Sequence, residues 1–224
     1  NYAETIPFLQ KAIKVAGGKH SFIEHEEDIS KRSITKYIKP KAEIEGNTLI
    51  LTIPEFTGND SQASDYANFL ESSLHKNNYN GVIVDLRGNG TLFTYVDKSS
   101  HSKPVELQNG EINSGGSSTK ISDNKKIKKA PIAVLIDNNT GSSGELTALC
   151  FKGRPNVKFL GSDSAGYTSA NQTVYLYDGS TLQITSAFVK DRTNNIYKNF
   201  PISPDIQTNN AKSSAIEWIK SQIK

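Results

Sequence analysis

The chain has 224 residues, 35% hydrophobic and 22% charged, with a formal net charge of +3. That length suits one sizeable core or two small ones, and the polar balance is that of a soluble globular chain. So small a positive excess argues against nucleic acid as a partner, the single cysteine (Cys150) excludes an internal disulfide, and no apolar run reaches membrane-spanning length.

The chain opens at Asn1 and contains no methionine, so it reads as a processed or trimmed form of something longer; the lack of a targeting signal then says nothing about location. Thr5–Val15 places Ile6, Leu9 and Ile13 at helical spacing, with Pro7 early and Gly17-Gly18 as the stop. Glu24–Lys41 is charged and irregular, the pattern of an exposed loop. Thr48–Pro54 predicts a strand closed by proline. Asp60 or Ser61 can cap a helix to about Lys76 with Tyr66, Phe69, Leu70 and Leu74 on one side, and Val82–Leu86 is a second buried strand. Strand, helix, strand in that order predicts a right-handed parallel crossover.

Thr91–Val105 is expected to form a hairpin, and the Gly-, Ser- and Lys-rich stretch Glu111–Lys129 a solvated approach to the next strand, Pro131–Asp137. A helix over Glu145–Lys152 follows, with Cys150 read as a core residue rather than a nucleophile. Val157–Leu160 is a short strand. Thr173–Tyr177 and Leu182–Val189 flank the hairpin signal Asp178-Gly179, and Ala211–Ile223 is a terminal helix with Trp218 as a packing anchor. The whole predicts one α/β domain with a parallel sheet and an appended antiparallel section.

Between the strand 131–137 and its helix lies Thr140-Gly-Ser-Ser-Gly-Glu-Leu146, a tight turn of small residues. Ser142 has two readings here. It is the N-cap of a capping box with Glu145 three residues on, or a nucleophile held at the mouth of the sheet beside free backbone N–H groups. A serine alcohol needs a base. Of four histidines, His25, His75 and His101 sit in polar or terminal settings, whereas His20 follows Gly17-Gly18 and precedes Phe22-Ile23, an apolar pair able to anchor it over a cleft. Asp85-Leu-Arg-Gly-Asn-Gly90 closes a buried strand where α/β sheets carry their sites; Gly88 and Gly90 are candidate oxyanion donors, while Asp85 and Arg87 read as structural.

Those motifs, followed by Phe159-Leu-Gly161, Ala165-Gly166, Asp178-Gly179-Ser-Thr-Leu182 and Ile202-Ser-Pro-Asp205, occur in the order seen in tail-specific (C-terminal-processing) serine peptidases, which the chain resembles from about Thr48 onward. The resemblance implies a crotonase- and ClpP-like α/β core, a mixed sheet flanked by helices. An N-terminal helical segment with its His-bearing loop (1–45) would precede the catalytic core (46–224), with no PDZ domain. Members with a serine–lysine dyad carry the lysine where this chain has Tyr167, and a phenol with pKa ~10 cannot replace it as base. Gly18-Lys19-His20-Ser21 is instead similar to the segment of the histidine-using branch that includes the nisin resistance proteins of Gram-positive bacteria.

That likeness implies Ser142 as nucleophile and His20 as base. It adds an oxyanion hole from Gly88, Gly90 and Ser143, support from Glu145, and a substrate cleft at Gly166 and Tyr167. It further implies a monomer with a peptide substrate (a lantibiotic or a protein C-terminal tail), needing no metal or cofactor, and attached outside the cell by a membrane anchor absent from this chain. Glu24, Glu26, Glu27 and Asp28 are the local acids nominated for a cationic substrate, and the 173–177 and 182–189 strands the edges on which it would lie. A housekeeping tail-specific protease and a non-catalytic peptide-binding relative are the alternatives. Two departures stand out. Gly90 runs directly into Thr91 where relatives continue with glycines and a helix, so either this chain lost that helix or, as the absence of methionine suggests, residues are missing there. No acidic third residue is assignable: Glu145 matches the motif's own Glu, and Asp191 and Asp205 are no more than candidates.

Overall fold

Continuous apolar runs buried on both faces set the architecture. The computed structural model describes residues 2–32, 37–90, 106–108, 111–114, 117–120 and 129–223. The chain opens with α1 (Tyr2–Gly17), β1 (Phe22–Glu24) and α2 (Glu26–Arg32). A hairpin of β2 (Lys41–Glu45) and β3 (Thr48–Thr52) leads through α3 (Asp60–Lys76) to β4 (Gly81–Asp85). A small antiparallel sheet of β5 (Glu106–Gln108), β6 (Glu111–Ser114) and β7 (Ser117–Lys120) precedes β8 (Ile132–Ile136), α4 (Ser143–Leu149) and β9 (Val157–Gly161). Then come β10 (Ser169–Tyr175), β11 (Thr181–Lys190), β12 (Ile196–Tyr197), β13 (Ile206–Gln207) and α5 (Ala211–Gln222).

The main sheet has the order β13-β9-β8-β4-β3-β2, parallel throughout except for the β2–β3 pair. Alternation along each strand divides its side chains between two cores. Leu49, Leu51, Val82, Val84, Val134 and Ile136 meet Tyr66 of α3 and Ala148 and Leu149 of α4. Ile50, Ile83, Ala133, Leu135 and Leu160 meet Ala211, Ala215, Ile216 and Ile219 of α5, with Trp218 packed at the margin. Each fully buried Ile or Leu contributes about 1.5–3 kcal/mol. Gly81 lets α5 approach: a Cβ there would lie 2.2 Å from Ile219 Cγ2.

A second, antiparallel sheet has the order β1-β11-β10, with β12 paired to β11. The apolar stripe of α1 covers it, Ile13 packing with Ile23 and Leu182, and Ile6 and Leu9 at the margin.

The expected strands over 48–54, 82–86, 131–137 and 157–160, the crossover and the three main helices are present. Several local expectations need correction. The stretch expected as a loop over 24–41 contains the end of β1 and all of α2, whose Glu26, Glu27 and Asp28 sit in the first turn, where the helix dipole favours acids. β2 is a charged edge strand, a polar pattern typical of sheet edges. It pairs with β3 across the Gly46-Asn47 turn, so the N-terminal segment is woven into both sheets. The Glu111–Lys129 stretch holds β6 and β7 rather than only a solvated approach. The cap of α3 is Asn59, whose side chain accepts from Gln62 N–H while Gln62 returns the bond. Cys150 is exposed at the end of α4. β11 lies inside the second sheet, leaving β10 as its edge. The hairpin expected over Thr91–Val105 lies outside the described residues.

Candidate active site

Ser142 sits where β8 gives way to α4, at φ 46° and ψ −116°. A non-glycine residue at positive φ costs on the order of 1–3 kcal/mol, so its surroundings must hold it there. Below the turn, Thr140 Oγ1 donates to the Leu86 carbonyl (2.9 Å) and accepts from Asp137 N–H (3.0 Å). Gly141 N–H donates to the Asn89 carbonyl at 3.0 Å. Gly144 presses on that same carbonyl: a Cβ would lie 2.1 Å from Asn89 O. The Asn89 side chain is itself buried and donates to Ile53 O at 2.8 Å. The ends of β4 and β8 are thus locked together under the serine.

Above the turn the brace is Glu145, fully buried. Its Oε2 accepts from Ser142 N–H (3.0 Å) and Tyr167 N–H (2.6 Å). Its Oε1 accepts from Gly166 N–H (2.7 Å) and from the Ser164 hydroxyl. Ser164 in turn accepts from Ile202 N–H at 2.7 Å, so its own proton is free for Glu145. Burial pushes the Glu145 carboxyl above its ordinary range, against the pull of the Ser164 hydroxyl and the three backbone donors. The carboxylate therefore couples Ser142 to the 164–167 loop. Ser142 and Glu145 are thus placed as the two ends of a capping box, with Glu145 accepting from Ser142 N–H.

His20 approaches from the other sheet. Gly17 and Gly18 precede it, Gly18 at φ +73°, and a Cβ on Gly17 would fall 2.0 Å from Ser21 Oγ. Ser21 Oγ donates to Gly17 O (3.1 Å) and accepts from Thr185 N–H (2.9 Å), and Ile23 is buried in β1. These contacts hold His20, 8% exposed, with Nδ1 2.8 Å from Ser169 Oγ. Its ring stands 5.2 Å from the Tyr167 ring, tilted 54°. Burial, and then the charge of Lys19, lower its pKa below 6.5. Lys19 Nζ donates to Ala165 O (2.7 Å) and lies 5.0 Å over the Tyr167 ring, clamping the same loop.

Tyr167 joins the two halves. Its backbone shares a Glu145 oxygen with Ser142, and its Cδ2 would be 3.4 Å from a Cβ on Gly141, while its ring meets His20. Among the described residues no hydrogen bond joins Ser142 directly to His20.

A family model described as peptidase family S41 matches residues 47–208, most of the chain. The chain belongs to peptidase family S41. It is thus a serine peptidase, a hydrolase of peptide bonds. It is 91% identical over 242 residues to the nisin-resistance protein of Lactococcus lactis subsp. lactis, a match covering all of this chain and 76% of that protein. A span of 242 residues against a chain of 224 means that the Lactococcus protein carries residues without a counterpart here. The carboxy-terminal processing protease CtpA of Bacillus subtilis is 31% identical over 124 residues, 51% of this chain and 26% of that protein. The solved structure of a lipoprotein from Streptococcus agalactiae is similar at 30% identity and a TM-score of 0.79, covering all of this chain and 83% of that one.

In this S41 peptidase the expected oxyanion donors differ in availability. Ser143 opens α4, so its N–H is among the helix's orphan donors. Gly90 lies at the edge of the described residues, beside the same turn; a Cβ there would be 4.0 Å from Asn139 O. The Gly88 N–H donates to Asp137 Oδ1 at 2.9 Å, and its φ of +72° marks a turn glycine. Asp85 and Arg87 pair with each other at 2.6 Å. Neither candidate third acid touches His20. Asp205 stitches β9, accepting from Phe159 N–H at 2.8 Å, and Asp191 closes its own turn through Thr193, Asn195 and Tyr197. Sequence reasoning missed Ser164, although it directly precedes Ala165-Gly166, and also Ser169, Asn171 and Thr185, polar strand residues with no motif around them.

Proposed function

We propose that Ser142 and His20 form the catalytic dyad of an endopeptidase that cuts near the C-terminus of a lantibiotic such as nisin. The observation that carries the chemistry is the joining of both residues through Tyr167 and Glu145, and the likeness to the Lactococcus nisin-resistance protein carries the substrate. His20 Nε2 takes the Ser142 proton as Oγ attacks the scissile carbonyl carbon. The oxyanion forms against Ser143 N–H, with Gly90 N–H as second donor. Collapse breaks the C–N bond, the protonated imidazole gives its proton to the leaving amine, and water then hydrolyses the acyl-serine by the same route. Lys19 is not the base, because its ammonium is donating to Ala165. Gly166 and Tyr167 line the cleft, and the open edge of β10 is the place for an extended peptide to add as a strand.

The proposal includes a place of action at the outer face of a Gram-positive cell, with the protein held there by a membrane anchor. The description of the similar S. agalactiae protein as a lipoprotein supports it. The test is mass spectrometry of an intact nisin-like peptide and of its linear, ring-free tail after incubation with the peptidase. The intact peptide is expected to be cut near its C-terminus and the ring-free tail far less well. Equal cleavage of both would favour a housekeeping tail-specific protease.

A further inference from the structure

A histidine base must present an unprotonated nitrogen to its serine, so something must hold the proton on the other nitrogen. In a serine–histidine–aspartate site a carboxylate does this, because it can only accept. Here the group at Nδ1 is the Ser169 hydroxyl, which can donate or accept, and contact alone leaves the tautomer open. The next groups decide it. Thr185 Oγ1 donates to Asn171 Oδ1 at 3.1 Å, an oxygen that can only accept. With its proton engaged there, Thr185 Oγ1 can only accept from Ser169, whose hydroxyl lies 3.5 Å away, beyond the roughly 2.5–3.0 Å of a close hydroxyl pair. Ser169 therefore turns its proton toward Thr185 and its lone pair toward His20. Asn171 completes the ring, its Nδ2 donating to the backbone carbonyl of His20 at 2.6 Å.

We propose that Ser169, Thr185 and Asn171 are positioning residues that fix His20 as its Nδ1–H tautomer, through a closed hydrogen-bond circuit that takes the place of an acidic third residue. The inference rests on His20 being the base. Its members come from β10 and β11, where Asn171 and Thr185 are register partners. The titratable groups facing the ring are Lys19 and Tyr167; β10 and β11 present it only the neutral circuit. A hydroxyl orients the imidazole without the counter-charge that a carboxylate would give its protonated form, and burial then keeps the pKa of the ring low.

The circuit is tested by nitrogen NMR of labelled histidine together with steady-state kinetics on the full chain. Wild-type His20 is expected to carry its proton on Nδ1. Thr185→Val keeps the shape but removes the acceptor, so Ser169 is free to donate to Nδ1. The tautomer should move toward Nε2–H, and kcat should fall about 10- to 100-fold with KM little changed. Ser169→Ala should lower kcat similarly. A wild-type His20 resting as Nε2–H would overturn the proposal. So would a Thr185→Val variant with unchanged tautomer and kcat, in which case His20→Ala, still inactive, would leave the base itself standing. Full cleavage by His20→Ala would instead remove the base, and the circuit with it.

Discussion

The two halves of the site are held by opposite means. The Ser142 turn is gripped by one buried charge, Glu145, on which three backbone N–H groups and a hydroxyl converge, and by glycine contacts too close for any side chain. The His20 ring is oriented by neutral side chains, two hydroxyls and an amide. The first arrangement fixes backbone, so it is part of the fold. The second fixes a proton, so it is part of the chemistry. Damage to one should appear in stability and damage to the other in the pH and rate behaviour.

The largest effect comes from removing the reacting groups. Ser142→Ala and His20→Ala should each lower kcat/KM by about four orders of magnitude or more, and combining them should cost little further, as for groups that act as a unit. Both variants should melt close to the parent, because neither removes a brace; a large loss of melting temperature in Ser142→Ala would merge the two halves that the comparison separates.

Next is Glu145→Gln. The amide nitrogen that replaces one oxygen faces N–H groups that also donate, leaving buried donors unpaired. Denaturant unfolding should show a loss of about 2–4 kcal/mol, with activity falling alongside. A variant as stable as the parent but inactive would place Glu145 in the chemistry instead.

The smallest effect is a shift rather than a loss. Lys19 adds positive charge beside His20 and, after burial, helps to keep it unprotonated. The acid limb of kcat/KM should therefore lie below pH 6.5 in the parent. In Lys19→Gln the imidazole keeps its proton to higher pH, so the limb should move upward. A limb that moves down, or remains in place, would remove Lys19 from the electrostatics of the site.

The parts of the fold legible in the sequence were those whose burial leaves an unbroken apolar trace, such as Val82-Ile-Val84 and Ile132–Ile136, and the stripe on α1. β12 and β13 are two residues each, and β2 is exposed at every position but Ala42, so their pairing comes from the neighbouring strands and not from a burial pattern of their own. At the site, Ser142 and His20 stood out as candidates because small residues crowd around a reactive one. That the Gly88 N–H is already occupied was not readable, since its acceptor, Asp137, lies on another strand end. Ser169 and Thr185 look like ordinary strand residues. Their meaning depends on a histidine 149 positions away from Ser169, and on which way one hydroxyl points.

The backbone of Ser142 has one more consequence. Its φ of 46° is a conformation that glycine adopts without strain and serine does not. On the proposed mechanism, the residue required for chemistry is therefore the wrong residue for a relaxed turn. Selection for heat tolerance alone would favour glycine at 142 and yield a sturdier, inert protein. Keeping serine there means that the rest of the molecule, Glu145 and the Asn89 shelf above all, carries a standing load on behalf of one hydroxyl.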